Sequence, residues 1–214
     1  MGAMAQSAAD LAREQRDLQN ILRKSLDAKP TKEAKKQAKQ YKKEGWLVPA
    51  GERSIEQQIT ESQFLGAELM VDENGSPTKR FIQHTAFATA GSYNAAYAAA
   101  RTNAQAEVAA MLETELAAAV ESKLDNAQHS TINATTVDKF HERIKGIIQA
   151  TMTNSIPALS FYRRLPNNNF EVQVRIAYDK KELAARMKRA LQQELENEGD
   201  ELLPLVDEAL RNSL

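Results

Sequence analysis

The chain has 214 residues, with 28 basic and 29 acidic side chains, 42% apolar and 6% aromatic residues, and no cysteine. Its length suits one domain or one and a half, and a mean hydropathy of −0.54 with the low apolar and aromatic share points to a modest core with long solvated helices. The missing cysteine excludes a disulfide framework, Cys-ligated zinc, iron–sulfur ligation and thiol catalysis; no apolar run approaches the roughly 18 residues of a membrane-crossing helix; and the balanced charge argues against bulk nucleic-acid binding, which needs a basic surface to displace counterions.

Met1-Gly2-Ala3-Met4 reads as a cloning remnant and carries no fold information. The sequence that follows, Ala5-Gln6-Ser7-Ala8, looks like the start of a mature chain cut after a small-residue export signal. Leu11, Leu18, Leu22 and Leu26 then recur at helical spacing and predict an amphipathic helix over 7–27, stopped at Lys29-Pro30. Thr31 is placed to cap a second helix, with Glu33 in its first turn. Residues 29–43 hold seven lysines (Lys29, Lys32, Lys35, Lys36, Lys39, Lys42 and Lys43) against the single acid Glu33. Such a segment is either a contact for an anionic partner (lipid headgroup, polysaccharide, nucleic acid or acidic protein) or a plain solvated face. Trp46, the one tryptophan, ends it and is expected to anchor the helix to the body. Lys32, Lys35, Lys36, Lys39, Lys42, Lys43 and Trp46 are the candidate partner-binding residues.

Ser54 and Gln57 have capping-box spacing and open a helix predicted over 54–70, with Ile55, Ile59, Leu65 and Leu69 as its apolar positions. A turn follows at Asp72 to Pro77. Lys79 to Ala90 alternates as a strand, with Phe81, Gln83, Thr85, Phe87 and Thr89 on one face and Ile82, His84, Ala86 and Ala88 on the other. The longest helix is predicted over 93–124, where 12 of the 25 residues from 95 to 119 are alanine. Val108, Ala109, Leu112, Leu116, Ala119 and Val120 form its apolar stripe, and Ala96, Ala99, Ala100 and Ala104 allow close backbone approach. Arg101, near the middle of that stripe, would either pair with a buried acid or, the favoured reading, lay its stem along the stripe with its head in water.

A polar loop over 125–135 leads to a helix at 136–152 bearing Val137, Phe140, Ile144, Ile147, Ile148 and Met152. Ile156 to Leu165 reads as a strand in which Pro157 favours an edge position or a strand start. Pro166 to Asn169 reads as a hairpin turn, and Phe170 to Tyr178 as a strand with one buried and one wet face. Asp179 caps a final helix over 180–197 with Leu183, Met187, Leu191 and Leu195 inward. Residues 194–208 carry seven acids and no base, opposite in sign to 29–43.

Three histidines, His84, His129 and His141, show no metal-ligand spacing, and no nucleophile elbow, Walker loop or dinucleotide fingerprint occurs. The reading is therefore non-enzymatic, with no catalytic residue, cofactor or metal expected. Arg163 and Arg164 would suit an anion, but alternation puts them on opposite faces of their strand.

The segments YNAAYAAARTNAQAEVAAMLETELAAAVES (93–122) and HERIKGIIQATMTNSIPALSFYRRLPNNNFEVQVRIAYD (141–179) resemble the small bacterial outer-membrane lipoprotein (LPP) family named after the 20-kDa Helicobacter lipoprotein. The matching positions are Ala96, Ala100, Arg101, Ala104, Glu107, Val108, Val120, Ser122 and Phe170 to Ile176, within about residues 80–180. The resemblance implies an α+β fold in which long helices cover one face of a three-stranded antiparallel sheet, akin to dodecin-like and flagellar-assembly-T N-terminal domains. It also implies an envelope location and no enzymatic activity. Family members are usually lipidated on an N-terminal cysteine, which this chain lacks.

The expected organisation is a remnant at 1–4, a helical N-terminal extension at 5–78, an α+β core at 79–180 and a helical segment at 181–214. The expected role is a non-enzymatic, exported protein of the Gram-negative periplasm, outer membrane or cell surface. It would act through protein or cell-envelope contacts, with self-association open and nucleic acid not expected. The alternatives are an intracellular helical interaction module, or a binder of an anionic polymer through 29–43.

Overall fold

The computed structural model describes residues 8–71, 75–126, 142 and 145–196. Helices α1 (Ala8–Asp27), α2 (Lys32–Lys43) and α3 (Ile55–Ala67) come first, then the short strands β1 (Leu69–Val71) and β2 (Pro77–Lys79). Strand β3 (Phe81–Ala90), helix α4 (Tyr93–Asn126), a helical stretch α5 (145–151), strands β4 (Ile156–Arg164) and β5 (Phe170–Asp179) and helix α6 (Lys180–Glu196) follow. The expected polar loop beyond 126, the positions Val137, Phe140 and Ile144, and the acidic run beyond 196 lie outside the described residues, as do the side chains of Leu11, Ala119, Val120, Leu191 and Leu195.

The fold is α+β. Strands β3, β5 and β4 form an antiparallel sheet in that order, with β5 central. The β3–β5 register runs unbroken from Phe81↔Asp179 to Ala90↔Phe170. β5 joins β4 through a tight turn in which Asn168 takes φ 65°, a left-handed conformation that asparagine tolerates. Pro157 does lie on an edge strand, and a bulge between Pro157 and Leu159 lets the consecutive residues Ala158 and Leu159 both be buried.

One sheet face packs against α4. Val172, Val174, Ile176 and Tyr178 meet Ala96, Ala100, Ala104, Val108, Leu112 and Leu116, and Ile147, Ile148, Met152, Leu183 and Met187 complete this core. Alanines at the N-terminal half of α4 bring its backbone onto the sheet, and the larger Val108, Leu112 and Leu116 fill the space farther along. Arg101 is half-buried and donates from Nη2 to Ser155 Oγ at 3.2 Å.

The other face is covered too, which corrects the expectation of a wet face on β5: Gln173 is 3% exposed and Ala177 0%. Helices α2 and α3 lie over Leu159 and Phe161, while Ile21 of α1 and Leu65 of α3 meet Phe81, Ala158 and Ala177. The polar residues on this face survive burial because α2 and α3 bond them. Arg175 donates to Ser62 Oγ at 2.9 Å and Thr85 Oγ1 at 2.7 Å; Gln83 Nε2 donates to the Ser62 carbonyl at 3.0 Å; and Gln58 Oε1 accepts from Ser160 N–H at 2.7 Å.

Two expectations about N-terminal leucines fail. Helix α3 stops at Ala67, and Leu69 instead sits 58% exposed in β1. Leu26 is 48% exposed, whereas Ile21, not named from spacing, and Ser25 are buried, at 6% and 2% exposed.

Arg80, in the single-residue gap between β2 and β3, ties these layers together. Its guanidinium, 7% exposed, meets Asp179 at 2.5 Å and Asp17 of α1 at 2.6 Å. Asp179 Oδ1 also accepts the Glu182 N–H at 3.0 Å, capping α6 as expected. Asp179 is 1% exposed in its side chain and Asp17 60%. Asp179→Ala should therefore leave the buried Arg80 with only the exposed Asp17 carboxylate, remove the α6 cap and cost about 3–5 kcal/mol, whereas Asp17→Ala should cost under about 1 kcal/mol. Urea midpoints of the two variants check this, and equal losses would contradict it.

Candidate functional site: the surface of helix α2

Helix α2 begins where expected. Thr31 takes extended backbone and its Oγ1 accepts the Ala34 N–H at 3.0 Å. The helix ends in a Schellman turn: Gly45 has φ 82°, Trp46 N–H donates to the Tyr41 carbonyl at 3.0 Å, and Gly45 N–H to Lys42 at 3.2 Å. The apolar contact that accompanies such a turn is present, with the Tyr41 and Trp46 rings edge-on at 6.3 Å. The sequence Tyr41-Lys-Lys-Glu-Gly-Trp46 thus encodes its own stop.

Ala34 and Ala38, both 0% exposed, form the inward face with Tyr41 and Trp46. At about 100° per residue, Lys32, Lys35, Lys36, Lys39, Lys42 and Lys43 all fall on one arc of about 120° turned away from that face. Lys42 is held by Glu56 of α3 at 2.6 Å, and this ammonium keeps the Glu56 carboxyl below the usual carboxylate range. Lys32, Lys35, Lys36, Lys39 and Lys43 are exposed and have no ion-pair partner among the described residues. Trp46 is 3% exposed: it anchors the ridge from beneath, and Arg163 stacks over its ring at 4.8 Å.

The other flank of α2 is different. Gln37, Gln40, Tyr41 and Glu44 border an open groove of about 380 Å³ that is also lined by Trp46, Phe87 and Gln173. Gln173 Nε2 donates to Tyr41 OH at 3.3 Å, and its buried Oε1 has no partner among the described residues. Helix α2 therefore separates a cationic ridge from an aromatic groove bordered by two glutamines and the acidic Glu44. The spacing of the lysines carries the ridge in the sequence; the groove needs Phe87 and Gln173 from two distant strands and has no local signal.

Among the described residues no group of three His, Asp or Glu side chains is placed to hold a metal ion. Arg163 and Arg164 do fall on opposite sides of β4, Arg163 paired with Glu171 at 2.5 Å and Arg164 over the Phe170 ring at 5.4 Å. Compared with family models, curated proteins and solved structures, the chain matches none.

One buried acid escaped the sequence reading. Glu61 of α3 is 6% exposed and meets Arg53 at 2.8 Å. Burial outweighs the Arg53 charge and raises the Glu61 pKa from 4.5 to about 7. Between these values the folded protein retains a proton that the unfolded chain releases. Glu61 thus stabilises the fold relatively more below pH 4.5, and this contribution is lost as pH climbs through about 7. The full swing is at most about 3.5 kcal/mol at about 1.4 kcal/mol per pH unit. Glu61→Gln should unfold like the wild type at pH 4.5 and be more stable by about 1–3 kcal/mol at pH 8. Urea titrations at both pH values test this; parallel stability–pH curves would refute it.

Proposed function

We propose that this chain is a non-enzymatic binding module that docks on an anionic surface of the bacterial envelope through the lysine ridge of α2. The observation that carries this reading is the one-sided placement of Lys32, Lys35, Lys36, Lys39 and Lys43, exposed and outside any ion pair among the described residues. A helix stabilised only by solvation gains nothing from collecting its cations on one arc, because like charges at i, i+4 repel (Lys32–Lys36, Lys35–Lys39 and Lys39–Lys43). That arrangement fits a flat array of phosphates, where each lysine contributes about 1 kcal/mol within a Debye length. The inward Ala34, Ala38 and Trp46 hold the ridge on the sheet, so the charges are presented on a rigid element. The envelope setting is the one that the lipoprotein resemblance over 80–180 implies, and it is part of the proposal.

Co-sedimentation with vesicles tests it. Binding to phosphatidylglycerol-containing vesicles, but not to purely phosphatidylcholine vesicles, is expected. Lys35→Glu/Lys39→Glu/Lys43→Glu should reduce it by at least about a hundredfold while leaving the circular dichroism spectrum unchanged. Equal binding to neutral vesicles, or binding that survives the triple substitution, would overturn the reading. Retention on a soluble polyanion without vesicle binding would favour the anionic-polymer alternative instead.

A further inference from the structure

The sheet has two edges, and they are treated differently. The outer edge of β4 is occupied: Ser160 N–H donates to Gln58 Oε1 at 2.7 Å, and Leu47 and Tyr162 exchange backbone bonds at 2.7 and 2.9 Å. Pro157 and a bulge interrupt the same strand, and Arg163 and Arg164 add charge near its end. These are devices by which natural sheets prevent an edge from pairing with another chain.

Strand β3 has none of them. Its ten residues, FIQHTAFATA, contain no proline, lysine, arginine or carboxylate, and its register with β5 has no bulge. The Lys180 N–H donates to the Arg80 carbonyl at 2.9 Å, which fixes the alternation of the antiparallel ladder. Even-numbered residues Ile82 to Ala90 turn their N–H and C=O groups to β5. Gln83, Thr85, Phe87 and Thr89 turn theirs outward. Among the described residues only the Phe87 carbonyl of this outward set has a partner, a 3.4 Å bond from Asn103 of α4. Phe87 is also 51% exposed.

We propose that this edge pairs with the same edge of a second copy of the chain, antiparallel about a two-fold axis near Ala86, to give a continuous six-stranded sheet. An antiparallel edge is self-complementary, since each outward N–H meets an outward C=O when the strand is rotated onto itself. In this register Thr85 faces Phe87 of the second copy and Gln83 faces Thr89, pairing an exposed aromatic with a β-branched residue. No like charges are opposed across the β3 strands. On the other face, the α4 residues on the side of Asn103 include exposed Ala99, Ala106 and Ala110, small enough for two α4 helices to approach side by side. The lysine ridge lies on a different element, so this inference stands whether or not the anionic-surface reading does.

Light scattering on the eluting full-length chain is the first test. At about 100 µM the mass should be twice the 23.8 kDa of one chain. Thr89→Pro removes one outward N–H and leaves the β5 ladder intact; Phe87→Lys places a charge on the edge. Each should weaken dimerisation at least tenfold without changing the circular dichroism spectrum. Amide exchange on the wild type provides a measurement independent of any variant. The amides of Gln83, Thr85, Phe87 and Thr89 should become protected as concentration rises, while those of Ile82, His84, Ala86 and Ala88 are protected throughout. A monomer at 100 µM, a dimer indifferent to both substitutions, or protection of the outward amides that does not depend on concentration would each overturn the proposal.

Discussion

Arg80 occupies a position where four elements must agree. Its backbone N–H bonds Glu68 at the end of α3, and its carbonyl accepts from Lys180 at the start of α6, both at 2.9 Å. Its side chain reaches Asp17 on α1 and Asp179 on β5. A guanidinium suits this place because its planar fork serves two carboxylates at once, and it cannot shed its charge when buried. Lysine would offer a single point charge with a greater desolvation penalty. Asp179 is constrained in turn, since one oxygen holds Arg80 and the other caps α6. The N-terminal helices are thereby locked onto the strand that runs through the centre of the sheet.

That lock explains how a three-stranded sheet, too small to bury much by itself, becomes the middle layer of the protein. On the α4 side the contact is apolar and close, made by alanines against β-branched side chains. On the α2–α3 side it mixes aromatic contacts with bonded polar groups. Phe161 is 0% exposed and edge-on to Tyr41 at 5.1 Å, while Arg175, Gln83, Gln58 and Ser62 bond one another or the backbone. Such a polar layer tolerates few alternative alignments, because every displaced partner leaves a buried group unsatisfied. Glu61 departs from this pattern, with an incompletely compensated carboxyl.

Both sides of α2 follow from the way it is seated. Two alanines with no side chain beyond Cβ bring the helix against Trp46 and Phe161. Every long cationic side chain is then forced outward, onto the arc opposite. The helix is short and could not hold this density of like charge by propensity alone. Its cap at Thr31, its Schellman stop at Gly45 and the Lys42–Glu56 bridge offset the repulsion.

What was legible locally was local in cause. Thr31, Ser54 and Asp179 set helix ends through hydrogen bonds spanning a few residues, and the capping box at Ser54 and Gln57 forms in both directions. The alternation of β3 and β5, the Asn168 turn and, apart from the exposed Ala99, the alanine face of α4 could likewise be read from spacing. So could the lysine run, because a 3.6-residue period assigns each side chain its angle. What spacing could not tell was which polar face would meet water. Strand β5 has the pattern of a half-exposed strand, yet Gln173 and Arg175 lie beneath helices encoded more than a hundred residues earlier. Leu26, Glu61 and Arg80 elude a local reading for the same reason. A side chain's periodicity fixes its direction relative to its own element, and only the packing of distant elements decides whether solvent, an apolar wall or an opposite charge lies in that direction.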